Sequence, residues 1–584
     1  MPLLDNASLS GAIFTSFRAS GGFSDRLRIE SAKTDGDVLK SEIDHARVLQ
    51  FTLRLSHHMK SEATYEFLIL LLMATVILEL VARRLRLPPA AALIVGGVVL
   101  ALIPGVPEID IDPGLIMLVF LPPLLMRSAY YTVWGDFKRY FAGIASLALG
   151  AVAFTTLAVG VVFHLLLPGL PWSVGFALGA IVSPPDAVAA GAILERLHLP
   201  SRITALLEGE SLVNDASGLV LLRFAAAATL TGAFSVTEAL TSLVWVTLAG
   251  IAVGLSIGWV GLTVIRRLRD SELIITSTLL LAALSYIAAE KLGSSGVLST
   301  VSTGLLLGWH QHETFNAETR VRAQAFWKAL VFLMESLLFI LIGLSLRGVL
   351  GRFGGVQQGM LAMELPVLAV IATVIVARFA WLLTAGSIAR FAPGLRRMGG
   401  RSSLATTVVM SWAGMRGVVT LTGALSLPAD FPGRDLILVS AFAVIIMTVL
   451  LQGSTLGLLI SLLGVVNPDE RHLVQENEAL AWKRVANAQY KAIQGLSRNA
   501  DGTERHPRLL EQYRHRAEVA AHYEQDRELH HSIKLEHFDT VLAAIAAGRA
   551  EILKMHKAGE IHDEVLRQLE HELDLQEMAA ENRR

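Results

Sequence analysis

The sequence predicts an all-α, polytopic membrane protein of about thirteen transmembrane helices followed by a helical tail outside the bilayer. Three observations carry this. Hydrophobic residues make up 53% of 584 positions, only 17% are charged, and the mean hydropathy is +0.53. A soluble domain carries about 25% charged residues. The net charge of −1 conceals a segregation, a nearly uncharged middle and a highly charged last fifth, which separates a membrane domain from a soluble tail. Finally, apolar runs of about 20 residues, the length that spans a bilayer, recur along the middle.

Residues 1–62 have mixed polarity and no apolar run long enough for a signal peptide. They read as an N-terminal extension, either disordered or an over-called start ahead of Met59. The membrane domain, 63–466, contains crossings predicted at 64–82, 88–105, 113–133, 139–167, 172–195, 201–230, 238–264, 272–289, 295–309, 325–347, 362–390, 404–427 and 434–463. Loop charge supplies an orientation. With Arg83, Arg84 and Arg86 placed in the cytoplasm, alternation puts Lys138, Arg139, Arg196, Arg202, Arg266, Arg267, Arg269, Arg320, Arg322, Lys328, Arg390, Arg396, Arg397 and Arg401 there too. External loops keep Lys291, Arg347, Arg352 and Arg434, a bias of roughly four to one, as the positive-inside rule requires. The N-terminus is therefore expected outside and the tail, 467–584, in the cytoplasm. That tail has apolar positions at helical spacing (Leu529, Ile533, Val541, Leu542, Ile545) and a turn signal at Asn499–Gly502. Its histidines, His506, His515, His522, His530, His531, His537, His556, His562 and His571, fit a solvated helical hairpin. Their titration near neutrality leaves a pH-sensing role open. They form no metal-ligand pattern.

Without cysteine the chain has no disulfide framework, thiolate metal site or cysteine nucleophile. Chemistry has to come from polar groups inside the membrane, where an Asp at a helix centre costs about 2.5–3.5 kcal/mol on insertion scales. The fifth segment reads GAIVSPPDAVAAGAI. Pro184 and Pro185 remove two backbone donors, so a regular helix cannot pass, and such a break is tolerated only inside protein or beside a watery cavity. Asp186 follows at once, placed to sit near the start of the second half. The plainer alternative is a simple proline kink.

The sixth segment holds Glu208, Glu210, Ser211, Asn214 and Asp215 in one apolar crossing. Residues four apart share a face, so Glu210 stacks on Asn214 and Ser211 on Asp215. Ser211 and Asp215 offer oxygens only, the donor type a small hard cation prefers. Such a carboxylate can be a neutral acid or a cation-bound anion, and those two states suffice for exchange. The plainer alternative is a structural polar network. Two intramembrane arginines balance these acids: Arg378 in the eleventh segment and Arg416, flanked by Gly414 and Gly417, in the twelfth, which is also expected to be interrupted. Two interrupted helices in corresponding positions point to an inverted-repeat transporter.

LPPLL at 121–125, the break with Asp186, GESLVND at 209–215, GMRG at 414–417 and LQGSTL at 451–456 resemble the monovalent cation–proton antiporters. The resemblance is to the electroneutral sodium–proton exchanger branch, in bacterial form, and spans about 64–463. It implies the inverted-repeat antiporter fold with interrupted helices five and twelve, a homodimer in the bacterial inner membrane, and alternating access. By resemblance, Asp215 is the carboxylate that binds H⁺ or Na⁺ and Ser211 a ligand. Asn214 stands where electrogenic relatives have a second Asp. Ser183, Pro185 and Asp186 contribute from the broken helix. Glu210 resembles a structural acid paired with Arg378, and Arg416 an arginine offsetting helix-end charge. Two positions depart from the family pattern. Pro185 and Ala187 stand where threonine and proline are usual, and Met126-Arg127 follows LPPLL where many members place an acid.

The expected activity is electroneutral exchange of Na⁺ (or Li⁺ or K⁺) for H⁺, with no cofactor and no nucleic-acid partner. A K⁺/H⁺ antiporter is the nearest alternative, and a cation channel is a further one. An enzyme is not expected, since Ser211 lacks a nucleophile elbow and the membrane histidine His164 reads as packed or interfacial. Glu335 is open between the ion path and a core or dimer network.

Overall fold

The structure is a computed structural model. It describes residues 66–67, 69–85, 87–103, 113–186, 191, 199–232, 236–351, 356–391, 403–465, 468–497, 504–525 and 527–581. The N-terminal extension 1–62, the basic residues Arg86, Arg196, Arg352, Arg396, Arg397 and Arg401, Ala187 and the turn Asn499–Gly502 lie outside the described residues.

Among the described residues the chain is all-α. In order come α1 (69–85), α2 (Pro89–Leu102), α3 (Pro113–Val119), α4 (Leu121–Tyr131), α5 (Trp134–Leu166) and α6 (Trp172–Val182). There follow α7 (Ser201–Thr231), α8 (Val236–Ile265), α9 (Ser271–Lys291), α10 (Gly296–Thr314), α11 (Ala317–Gly351) and α12 (Val356–Phe391). The pair α13 (Leu404–Trp412) and α14 (Val418–Leu425) precedes α15 (Arg434–Leu463). The predicted segments fall on one of these helices or on a consecutive pair, except that most of the fifth beyond Asp186 lies outside the described residues. Among the described residues, eight helices are long and apolar enough to cross a membrane, and Pro89–Leu102 and Trp172–Val182 are shorter apolar helices. The protein is a multi-pass membrane protein. Helix α11 starts at Ala317, ahead of the predicted 325, where Asn316 Oδ1 caps it by accepting the Thr319 N–H at 2.7 Å.

Side-chain caps fix several starts. Asp270 accepts from the N–H of Glu272 (2.8 Å) and Leu273 (3.1 Å), and Ser295 and Ser403 cap α10 and α13.

Two groups of helices have separate apolar cores. The first joins α5, α6, α7, α12, α14 and α15 around Phe163, Leu178, Val182, Val370 and Ile437. The second joins α4 and α8–α11 around Met126, Leu262, Leu307 and Trp327, and α1 and α2 pack on α11 in a smaller cluster of their own, Leu71, Ala101, Ile340 and Leu344. Lipid gives helices no hydrophobic reason to associate, so close packing of small residues does the work. A Cβ on Gly97 would strike the Ile340 carbonyl, and one on Gly343 the Ile94 carbonyl, so α2 and α11 meet backbone to backbone. Helices α8 and α10 do the same at Gly254, whose carbonyl accepts from the Thr303 hydroxyl at 2.8 Å.

The chain divides into two compact units, the second comprising chiefly Leu459–Arg584. Within it run α16 (Pro468–Leu496), α17 (Pro507–Gln525), α18 (Arg527–Lys557) and α19 (Asp563–Glu581). Helices α18 and α19 form a hairpin held by Arg549, which reaches Asp574 and Glu577, both at 2.5 Å, and by His556 at 2.6 Å from Asp563.

Candidate functional site

Helix α6 stops at Val182 because Pro184 and Pro185 bring no N–H to continue it. Three groups freed by the break have partners on other elements. The Val182 carbonyl accepts from Arg416 Nε at 2.6 Å, and the Pro185 carbonyl from Asn214 Nδ2 at 2.7 Å. The Asp186 N–H donates to the Met415 carbonyl at 2.7 Å. Ser183 Oγ donates to Ala180 O and lies 3.2 Å from Thr156 Oγ1 on α5.

The second break runs through Ala413–Gly417, between α13 and α14. Arg416 is 1% exposed and serves both breaks. Its guanidinium reaches Val182 O in one and Gly414 O (2.5 Å) in the other, while its N–H donates to Thr448 Oγ1 at 3.1 Å. A cation on the carbonyl end of α6 meets the negative end of that helix's dipole. Gly417 precedes α14, and a Cβ there would overlap the Asp186 carboxylate. The carboxylate of one break therefore lies against the helix start of the other.

Helix α7 passes beside both. Glu210, 1% exposed, takes a bidentate ion pair from Arg378, 3% exposed, at 2.6 and 2.8 Å. Arg378 Nε donates to Met410 O of α13, and a Cβ at Gly414 would strike the arginine side chain. One turn on, Asn214 is fully buried, and its Oδ1 has no hydrogen-bond partner among the described residues. Asp215 is 7% exposed. Among the described residues its carboxylate takes no hydrogen bond and no ion pair, and the charged group it feels is Asp186. Ser211 is half-buried, one turn before Asp215. Gly218, one turn after, lets Pro184 approach, since a Cβ there would overlap the proline ring.

Of the residues named from sequence, Ser183, Pro185, Asp186, Asn214, Asp215 and Arg416 come together at the crossing of the breaks, with Glu210 one turn earlier on α7 and paired to Arg378 of α12. Glu335 is half-buried on α11. His164 packs at a helix end, stacked on Trp172 at 4.0 Å with Nδ1 3.0 Å from Leu170 O. Sequence reasoning missed Thr156, Ser217, Gly218 and Thr448. Ser217 Oγ donates to Ala148 O at 2.6 Å, within a widened turn of α5 (Ser146–Ala151), and Trp381 Nε1 donates to Ser146 O at 3.1 Å. Gly218 was findable, lying three residues from Asp215 on the same helix face. Thr156 and Thr448 carry no sequence signal, since a threonine in an apolar helix ordinarily bonds its own backbone.

A sequence model described as "Sodium/hydrogen exchanger, transmembrane" matches residues 68–462. The chain belongs to the sodium/hydrogen exchanger family. The match contains every site residue above and ends before α16. A protein of Bacillus pumilus named as a sodium, potassium, lithium and rubidium/H⁺ antiporter is 33% identical over 62% of this chain. The chain spans only 56% of that relative's length. An Escherichia coli protein named as an uncharacterized Na⁺/H⁺ exchanger, YjcE, is 30% identical over 80% of this chain and 90% of its own. The solved structure of the sodium proton antiporter MjNhaP1 from Methanocaldococcus jannaschii superposes with a TM-score of 0.54 at 21% identity. It covers 68% of this chain and 98% of that one. The membrane domain thus has a fold similar to that of this antiporter.

Proposed function

We propose that the chain exchanges one sodium ion for one proton across a bacterial inner membrane, with Asp215 holding one or the other. The observation that carries this is the contrast within α7: a buried carboxylate at Asp215 that has no partner among the described residues, five residues from one that is fully paired. A buried charge is costly unless something neutralises it. With no arginine or lysine on Asp215, a proton or a bound cation fills that role. Asn214 Oδ1, a buried acceptor with no donor, and the oxygens of Ser211, Ser183 and Asp186 supply the hard donors an alkali cation takes. Pro185 contributes by placing its carbonyl on Asn214, which turns Oδ1 toward a ligand.

A single carboxylate neutralised either way carries the same charge in both transport states, so exchange is electroneutral. Glu210 and Arg378 brace α7 against α12 and α13, and Arg416 offsets the carbonyl end at Val182. Apolar run length supports about thirteen crossings, and loop charge supports an N-terminus outside and a tail in the cytoplasm. The working unit is a homodimer.

Potassium is the second reading, favoured by the breadth of cations in the name of the Bacillus pumilus relative. Purified protein in proteoliposomes, followed with a pH-sensitive dye, tests both. Na⁺ is expected to drive proton flux at a rate indifferent to an imposed membrane potential. Preference for K⁺ over Na⁺ installs the second reading. Cation flux without proton coupling overturns antiport in favour of a channel.

A further inference from the structure

The two helix groups have separate apolar cores, and every side-chain bond described so far within the membrane domain stays inside one group. An ion pair between described residues joins them. Arg223 of α7 donates from Nη2 to Glu290 Oε2 of α9 at 2.9 Å. Glu290 is held in place on its own side. Its other oxygen, Oε1, accepts the Gly296 N–H at 3.1 Å at the start of α10. Gly296 in turn lies against the Tyr286 ring and the Glu290 side chain, so that a Cβ there would crowd both. The acceptor is thus fixed to a rigid corner of the second group.

The donor is fixed to the ion site. Ser211, Asp215, Leu219 and Arg223 fall at successive four-residue steps, one ridge of a continuous helix. Arg223 lies eight residues from Asp215, about 12 Å along the axis at about 1.5 Å per residue. A helix transmits displacement along its length. Carrying Asp215 from access on one face to access on the other, relative to the second group, carries Arg223 away from Glu290. A 2.9 Å ion pair does not survive a shift of a few ångströms.

We propose that the Arg223–Glu290 ion pair is a latch between the two helix groups, closed in this structure and open when Asp215 faces the side on which Arg223 lies. The inference rests on the exchange reading only for its cargo; the latch concerns the access of Asp215, whatever ion it carries. The pair is partly exposed, 55% on Arg223 and 34% on Glu290, so it biases the equilibrium modestly, by about two- to fivefold.

The absence of cysteine in the chain permits a clean reporter. Leu219→Cys places one thiol on the ridge between Asp215 and the latch. Labelling of full-length protein in proteoliposomes with a membrane-impermeant maleimide reads how often that side opens. Adding Glu290→Gln keeps an acceptor oxygen for the Gly296 N–H and removes only the charge. It is expected to raise the labelling rate two- to fivefold, and Arg223→Gln is expected to do the same. Exchanging the charges, Arg223→Glu with Glu290→Arg, is expected to bring labelling back toward the parent rate. A merely structural pair would change melting temperature without changing labelling. Unchanged or slower labelling in both single variants overturns the latch, as does an effect of Glu290→Gln that Arg223→Gln does not share. Proton flux measured on the parent reports separately on exchange, so a failure of that reading is not mistaken for a failure of the latch.

Discussion

Glu210 and Asp215 sit five residues apart on one helix, are equally acidic in water and are both buried, yet their surroundings differ in kind. Glu210 has both oxygens committed to one guanidinium, which is itself fixed to the Met410 carbonyl. Asp215 has neither oxygen committed among the described residues. Under the proposed exchange, this difference separates an acid that braces the fold from one that meets the ion. A carboxylate with a permanent counter-charge has no reason to take up a second cation, and one without it has to. Removing the two acids should therefore have opposite signatures.

Asp215→Asn gives the largest functional effect. The amide is isosteric and neutral, so it occupies the protonated shape and cannot become the cation-bound anion. Exchange is expected to fall to the background of empty liposomes, with the melting temperature of purified protein unchanged or raised, since an uncompensated charge is gone. Full exchange by this variant would erase the distinction between the two acids.

Glu210→Ala is expected to act on stability first. It leaves Arg378 buried and unpaired, a loss of about 3–5 kcal/mol. The measurement is thermal unfolding in detergent, and a fall in melting temperature is expected. Glu210→Leu combined with Arg378→Met removes both charges together and should recover most of the loss, because well-packed apolar replacements of buried pairs are often neutral. A single variant as stable as the parent would show that the pair carries no structural weight.

Much of this contrast was legible in the sequence, and the reason is physical. Intramembrane charge is expensive enough to be conspicuous, so Asp186, Glu210, Asp215, Arg378 and Arg416 stand out from an apolar background. Two consecutive prolines announce a break without any structure. The fold class followed from the same economy of polar groups, since apolar runs of bilayer length have only one way to satisfy their backbone. What distinguishes Glu210 from Asp215 was legible only in part. Helical spacing puts Glu210 over Asn214 but cannot show that Arg378, 168 residues away, reaches it. The crossing of the breaks, with Arg416 on Val182 and the Asp186 N–H on Met415, joins residues more than 200 positions apart and leaves no local trace. The widened turns at Ser146–Ala151 and Thr448–Gln452 were likewise invisible, being set by partners such as Ser217, Trp381 and Arg416 on other helices.

Asp186 is the intermediate case and gives the subtlest test. Its carboxylate feels Asp215 on one side and lies against Gly417, at the start of α14, on the other. Gly417→Ala adds one methyl at the point where the carboxylate now sits. The side chain of Asp186 has to turn aside, an adjustment open to a group with two rotatable bonds. If Asp186 shares the cation with Asp215, that adjustment is expected to weaken apparent Na⁺ affinity several-fold while leaving maximal exchange and melting temperature near the parent values. The readout is the Na⁺ concentration giving half-maximal dequenching in proteoliposomes. An unchanged half-maximal concentration would place Asp186 with Glu210, as a group that shapes the crossing of the breaks rather than one that meets the ion.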